Sequence, residues 1–363
     1  MGKKTPEVEP GKRVTLQVLA KHLDLSTTTV SVVVSDSPAA RGIPPKTRER
    51  ILAAAKKLNY RPNYMARSLR GTRSMSIGIL VPETSEGYFT LVMNGVEQYL
   101  MDANYLYFSA SHYHKKELLD ESARLLVERS VDGLLLVSTP VPANVHLPMV
   151  SISGSSDVPG VGHVVLDHRK AAVMALTYLR DLGHTKIAFM KGQDFNADTD
   201  ARWGSIVGVA RELGISIDPK LLIQLNLNVW SPRVGYEPVR QFLTTPQDFT
   251  AMFCFNDLSA IGAIRALHEV GLKVPEDVSV IGFDDITMSA YGIPSLTTVG
   301  QPLAEMGRLA AATLLARIRN PEENQVTNIA LDPSLVVRES TGPPPKPKSA
   351  ASTPSKPSRA KAK

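Results

Sequence analysis

Five short hydroxyl side chains crowd into six residues near the start of the chain: Ser26, Thr27, Thr28, Thr29 and Ser31, with Val32 next. Hydroxyls of this reach can hydrogen-bond a phosphate, and a threonine methyl can lie against thymine, but none can make the forked contact that reads guanine. Arg41 follows within SPAARGIPP, free to reach a phosphate or a groove. A second polar set falls where apolar runs end: Thr84 to Phe89, Asn256–Asp257 and Asp284–Asp285. Residues beyond the carboxyl ends of parallel strands are placed to bind a small ligand, although Asp257 and Asp285 read more simply as helix caps. Catalytic patterns are missing: no GxGxxG after a strand, no GxxxxGK[ST], no GxSxG. His112, His114, His163 and His168 lack metal-ligand spacing, and solvated or capping roles fit them better. The expectation is a binding protein, not an enzyme, with no cofactor and no metal.

Something must carry the hydroxyl set. Thr15 can cap a helix on which Leu16, Leu19, Ala20 and Leu23 share a face. Asp24 tolerates a left-handed turn, and Ser26 can cap a second helix whose Val30 and Val33 or Val34 face back onto the first. Propensity alone reads Thr27 to Val34 as a strand, since nearly every residue is β-branched. The capped amphipathic segment before it, and a third helix from Pro45 carrying Ile51, Ala54, Ala55 and Leu58, favour a helix-turn-helix. The second helix of such a unit enters the major groove.

Charge is unevenly spread. The net charge is +6, but residues 1–73 carry +10 and residues 342–363 carry +6, leaving −10 for the stretch between. A basic head on an acidic body is the footprint of a nucleic-acid-binding module joined to a domain that does not bind nucleic acid. No apolar run approaches the ~18 residues of a membrane span. MGKKTPEVEP lacks the apolar core of a secretory signal. Cys254, the single cysteine, lies in the apolar run AMFCF and has no partner for a disulfide within the chain. These features lead us to expect a cytoplasmic protein without membrane contact. From Met75, short apolar strands alternate with amphipathic helices in two successive series, which implies parallel sheets with helices on both faces, arranged as two lobes.

VTLQVLAKHLDLSTTTVS, followed by TRERILAAAKKLNYRPNYMARSLRG, resembles the DNA-binding headpiece and hinge of the LacI/GalR repressor family. GILVPETSEGYF, LGHTKIAFMKG and AMFCFNDLSAIGAIRALHEVGLKVPEDVSVIGFDD resemble its effector domain, and the likeness extends over about residues 14–340. It implies an α/β protein: an all-α helix-turn-helix headpiece plus a two-lobed, doubly wound parallel-sheet effector domain of the periplasmic-binding-protein type. It also implies a sequence-specific transcriptional regulator, most often a repressor. Such a regulator binds a double-stranded DNA operator as a homodimer and is controlled by a small-molecule effector, a sugar or sugar derivative. Carried over by position, DNA contacts fall on Thr15, Ser26, Thr27, Thr28, Thr29, Ser31, Val32, Arg41, Asn63, Ala66 and Leu69, with Leu69 wedging into the minor groove. Effector contacts fall on Tyr88, Phe89, Arg202, Trp230, Asn256 and Asp284. The chain departs from the family pattern at three places. Val32 stands where many members carry a guanine-reading arginine, Asp24 replaces the usual turn glycine, and Ser205 stands for a glycine.

The expected organisation is a disordered basic arm (1–13), helix-turn-helix domain (14–60), hinge (61–73), effector-binding and dimerisation domain (74–340) and disordered basic tail (341–363). The N-lobe would take about 74–183 and 302–320 and the C-lobe about 184–301 and 321–340. Crossings are expected at Gly183–His184, near Gly300–Gln301 and at Ile318–Glu322. Two other readings stand beside the repressor: a solute-binding protein without regulatory role, and a corepressor-type regulator of purines or another metabolite.

Overall fold

The computed structural model describes residues 14–35, 37–60, 73–84, 87–154, 159–196, 198–321 and 328–346. The arm and residues 61–72 of the hinge, with Asn63, Ala66 and Leu69, lie outside the described residues. The chain forms two compact units, Met1–Ser74 and Met75–Lys363.

In the first unit, α1 (Leu16–Leu23), α2 (Thr27–Val34) and α3 (Pro45–Lys57) surround one small core, and a short 3-10 helix, Pro38–Gly42, joins the last two. Thr15 caps α1 by accepting the Val18 N–H, and Asp24 closes it at φ 55°, ψ 43°. Ser26 caps α2, its Oγ accepting the Thr29 N–H at 3.1 Å. α2 is therefore helical despite its strand-like composition. The β-branched deficit, at most ~0.7 kcal/mol per residue, is offset by burying Val30 and Val33 against Leu19, Ala20, Leu23 and Ile51, at ~1.5–3 kcal/mol for each side chain. Arg50 ties α3 to the end of α1 by donating to the Leu23 carbonyl at 2.8 Å.

The second unit contains, among the described residues, two six-stranded sheets. The first is parallel throughout, in the order β11 (Asn328–Leu331), β5 (Val161–Leu166), β4 (Met149–Ile152), β3 (Leu134–Val137), β1 (Ser76–Val81), β2 (Leu106–Ser111). The second runs β12 (Ser334–Val336), β10 (Thr297–Gly300), β9 (Ser279–Asp284), β8 (Ala251–Phe253), β6 (Ile187–Lys191), β7 (Leu222–Gln224), and only β12 is antiparallel. Helices α4 (Tyr88–Asp102), α5 (Lys116–Glu128) and α10 (Leu303–Arg319) cover the first sheet. The second is covered by α6 (His168–Asp181), α7 (Thr199–Glu212), α8 (Arg233–Phe242) and α9 (Asp257–Glu269).

Three boundaries differ from the sequence expectation. The first crossing is not at Gly183–His184 but at Asp167, because Ala171, Ala175 and Leu179 of α6 pack on Phe189 and Ile206 of the second lobe. The last is not at Ile318–Glu322: Asn328–Leu331 pairs with β5 in the first sheet and Ser334–Val336 with β10 in the second, so the chain passes over at Asp332–Pro333. Both strands are too short for a hydrophobic period to distinguish them from loop. The tail does not begin at 341. Tyr178 bonds Thr341 at 2.8 Å, and the Gly342 carbonyl lies 2.9 Å from His184 Nε2, so both residues are fixed to the second lobe.

Each lobe also brings two helices to backbone distance. A Cβ on Gly95 of α4 would overlap the Ala304 carbonyl of α10, and one on Gly262 of α9 would overlap the Pro232 carbonyl beside α8.

Candidate functional site

In the headpiece, Thr15, Ser26, Thr27, Thr28 and Arg41 are exposed, while Thr29, Ser31 and Val32 are half-buried. The Ser26 and Thr29 hydroxyls are 2.8 Å apart and engaged with each other in the cap. Thr27 and Thr28 are thus the outward hydroxyls at the N-terminal turn of α2, where helix N–H groups also favour an anion. Val32 packs against the headpiece core and offers only its remaining surface.

In the second unit, strand ends and helix starts from both lobes converge. Tyr88, at the start of α4, meets Arg202 of α7, Trp230 ahead of α8, Asn256 at the cap of α9 and Asp284 at the end of β9. They share the lining of one cavity with Asp198, which sequence reasoning missed. The cavity holds ≈ 20 Å³, about the room of one water. Phe89 is not in this lining. It lies 2% exposed in the first lobe's core and meets Trp230 edge-on at 5.3 Å, so it backs the indole.

The Arg202 guanidinium lies 3.8 Å from the centroid of Phe283 and 4.6 Å from that of Phe255. Its Nη1 donates to the Phe255 carbonyl at 2.6 Å, and its Nη2 is 3.9 Å from Asp198 Oδ2. Its Nε has no partner among the described residues. Asp198 also accepts the Gly154 N–H at 2.6 Å, a bond between lobes, and lies 3.8 Å from His168 Nε2. Burial raises its pKa, but His168, Arg202 and the Gly154 N–H together outweigh that and hold it below the usual carboxylate value. Asp284 takes the opposite course. Burial pushes it up to about 8, against the pull of Arg202 and the Gln301 amide, which donates at 2.6 Å. Its backbone sits at φ 113°, in the left-handed half of the map.

Asn256 serves its own helix as well, since its Oδ1 accepts the Ser259 N–H at 2.9 Å in a capping box, which leaves its NH₂ for the cleft. Neither Asp257 nor Asp285 is a cap. Asp257 is fully buried and accepts from Ile286 N, Ser289 Oγ and Thr298 Oγ1; burial lifts it to about 6. Asp285 pairs with Arg338 at 2.6 Å. The Tyr88 hydroxyl is 2.6 Å from Ser153 Oγ, and burial raises its pKa. Trp230 stacks on His114 with ring centroids 5.9 Å apart, and its Nε1 has no partner among the described residues. The one signal for Asp198 was its place one turn before Arg202, the i,i+4 spacing of a helical ion pair.

A larger cavity, ≈ 520 Å³, lies on the second lobe between α9 and the Met288–Leu296 segment. Met288, Tyr291 and Ile293 beside it are 57%, 76% and 98% exposed.

Residues 15–63 match the family described as bacterial regulatory proteins, lacI family, and residues 176–341 match a periplasmic binding protein-like domain. The ribose operon repressor of Haemophilus influenzae is 32% identical over 90% of this chain and 98% of its own length. The HTH-type transcriptional repressor PurR of Aliivibrio salmonicida is 32% identical with the same coverage. The chain belongs to the lacI family. Among solved structures, the lac repressor dimer bound to operator and an anti-inducer is 26% identical, covers 91% of this chain and 100% of its own, and superposes with a TM-score of 0.79. A lacI-family regulator from Enterococcus faecium with bound ribose is 29% identical, covers 74% of this chain and 99% of its own, and gives 0.65. Among the described residues no helix is long and apolar enough to cross a membrane.

Proposed function

We propose that this lacI-family chain is a sequence-specific transcriptional regulator, a repressor acting in the cytoplasm without catalysis. It binds operator DNA as a homodimer and responds to a sugar-like effector held between the two lobes. In this reading residues 14–60 bind DNA and 61–73 form the hinge. The body from 74 contains an N-lobe of about 74–166, 302–320 and 328–331, and a C-lobe of about 168–300 and 334–342. Thr27, Thr28 and Arg41 contact the duplex directly, Ser26 and Thr15 present the helices, and Leu69 supplies the minor-groove wedge.

The observation that carries the effector reading is the convergence of Arg202, Asn256 and Asp284 with Trp230 and Tyr88 on one cavity between the lobes. That set offers carboxylate acceptors, amide and guanidinium donors and an aromatic face, the requirements of a polyol. A sugar does not fit the space as it stands, so binding parts the lobes. It does so against the Gly154–Asp198 bond and the contact of Ile286 on Gly87, about the three crossings. Coupling to DNA follows if the effector favours one lobe arrangement over the other. The outward-facing Met288, Tyr291 and Ile293 supply apolar area for the second copy.

The likeness to PurR favours a second reading, a purine corepressor. Thermal melting of the full chain with ribose, other sugars, hypoxanthine and guanine separates the two, since a true ligand raises the melting temperature by mass action. Failure to bind any duplex selected from a random library at low salt would remove the regulatory reading itself.

A further inference from the structure

Taking the cleft as the effector site, we infer that it selects an uncharged polyhydroxy ligand and rejects the phosphate ester of that ligand, with Asp198 as the residue that sets the preference. The acidic and basic side chains on the cavity wall are Asp198, Asp284 and Arg202. The charge of the guanidinium is already matched by a neighbouring carboxylate. Its Nη2 faces Asp198, its Nη1 bonds the Phe255 carbonyl, and the rings of Phe255 and Phe283 lie within 4.6 Å and 3.8 Å of it. The Nε–H is buried and without a partner among the described residues.

A phosphate dianion is held by several donors and an excess of positive charge. Among the described lining residues there is no lysine or histidine. Residues 85–86, 155–158 and 197, adjoining these elements in sequence, contain no basic side chain either. Hydroxyls, by contrast, find what they need. Asp198 Oδ1 takes the Gly154 N–H and Asp284 Oδ1 takes the Gln301 amide, leaving the second oxygen of Asp198 to accept and that of Asp284, when protonated, to donate. The Asn256 NH₂ and Arg202 Nε–H remain to donate. Of the two acids Asp198 is the selector, because Arg202 and His168 flank it and keep it charged at the seam between the lobes. An ester phosphate beside it meets an ionised carboxylate with no spare counter-charge.

The test uses the full chain, with Trp230 fluorescence and thermal melting as readouts. Probes are D-ribose and D-ribose 5-phosphate, D-glucose and D-glucose 6-phosphate, and hypoxanthine. At least one uncharged sugar binds, and its ester is at least ~100-fold weaker, as expected for an unpaired charge in a buried site. In Asp198→Asn the sugar-to-ester gap narrows by ~10-fold or more, since the like charge is gone. An ester that binds as tightly as its sugar, or a panel in which no uncharged polyol binds, overturns the proposal. An unchanged gap in a folded Asp198→Asn overturns the role of Asp198; if that variant does not fold, the ratio in the native chain decides alone. Hypoxanthine binding alone, with a change in DNA affinity, leaves the regulator standing and defeats this proposal. Sugar selectivity without any effect on DNA does the reverse.

Discussion

Thr27 and Thr28 stand in solvent at the start of a helix braced by a core of few residues, whereas Arg202, Asp198 and Asp284 are each less than a tenth exposed in the cleft. The contrast follows from the size of the partner. A duplex is too large to be enclosed, so the headpiece holds a stiff face outward and lets charge and shape do the recognition. A sugar-sized molecule can be surrounded, so the cleft takes its polar groups out of water before the ligand arrives and arranges them in mutual contact. Surface recognition leaves its groups exposed to salt. Enclosed recognition splits two neighbouring carboxylates in opposite directions.

Salt offers the widest separation of the two regions. If the headpieces neutralise ~6–10 phosphates, DNA affinity falls ~10³-fold or more between 50 and 200 mM salt, while sugar affinity of the same chain, set by buried groups, changes little. Filter binding against titration calorimetry across that range measures both, and parallel slopes would erase the distinction. Next comes Leu19→Ala. Leu19 is fully buried in the small headpiece core, and its truncation costs ~2–5 kcal/mol. DNA binding is lost while the body's melting transition stays in place; a shift of that transition would mean that the units do not melt separately. Arg202→Ala works the other way. It strips the counter-charge from Asp198 and leaves that carboxylate buried without its guanidinium, and effector affinity drops ~100-fold. Operator affinity without effector holds.

How much was legible in the chain depended on the same contrast. The headpiece could be read because its helices announce themselves with caps, Thr15 and Ser26, and because apolar spacing survives even in a β-branched run. The body's alternation fixed the fold class, and the strand-end rule brought Asn256 and Asp284 to the cavity. What stayed hidden was settled by packing across long separations. Nothing in HRKAAVMALTYLRD says that this helix leaves the first lobe; that is decided by the fit of Ala171 and Ala175 on Phe189. Asp257 looked like a cap because Asp commonly is one, yet Thr298 and Ser289 arrive from far along the chain to bond it, and Asn256 takes the cap. Phe89 sat beside a true lining residue, but helical geometry turned its ring into the core behind Trp230.

A smaller effect separates the two acids of the cleft by pH. Asp284 has a folded-state pKa raised from 3.8 to about 8, so between those values the folded chain binds a proton that the unfolded chain has released. Stability therefore falls as pH rises through that window and levels off above it. Asp257, raised to about 6, acts in the same sense but only up to that point. His112, His114 and His184, all lowered by burial, act in the opposite sense and only below their ordinary 6.5. The interval from pH 7 to 8 is thus governed by Asp284 among these groups. Chemical denaturation there shows a decline in the native body that Asp284→Asn flattens, and equal slopes in both chains would place the raised pKa elsewhere.

The finest comparison sets one helix cap against another. Ser26 and Asn256 both accept the N–H of the third helical residue, at 3.1 and 2.9 Å. Ser26→Ala removes a cap and costs ~1 kcal/mol of headpiece stability. Asn256→Ser keeps one, because serine caps about as well as asparagine, so the body's melting temperature should scarcely move. What the serine lacks is the NH₂ left over for the cleft. Effector affinity then falls ~10-fold, the loss of one buried hydrogen bond, with stability held. If melting temperature and affinity fall together, Asn256 serves the ligand only by starting its helix. If affinity falls alone, one side chain combines in the cleft the two roles that the headpiece divides between Ser26 and its threonine neighbours.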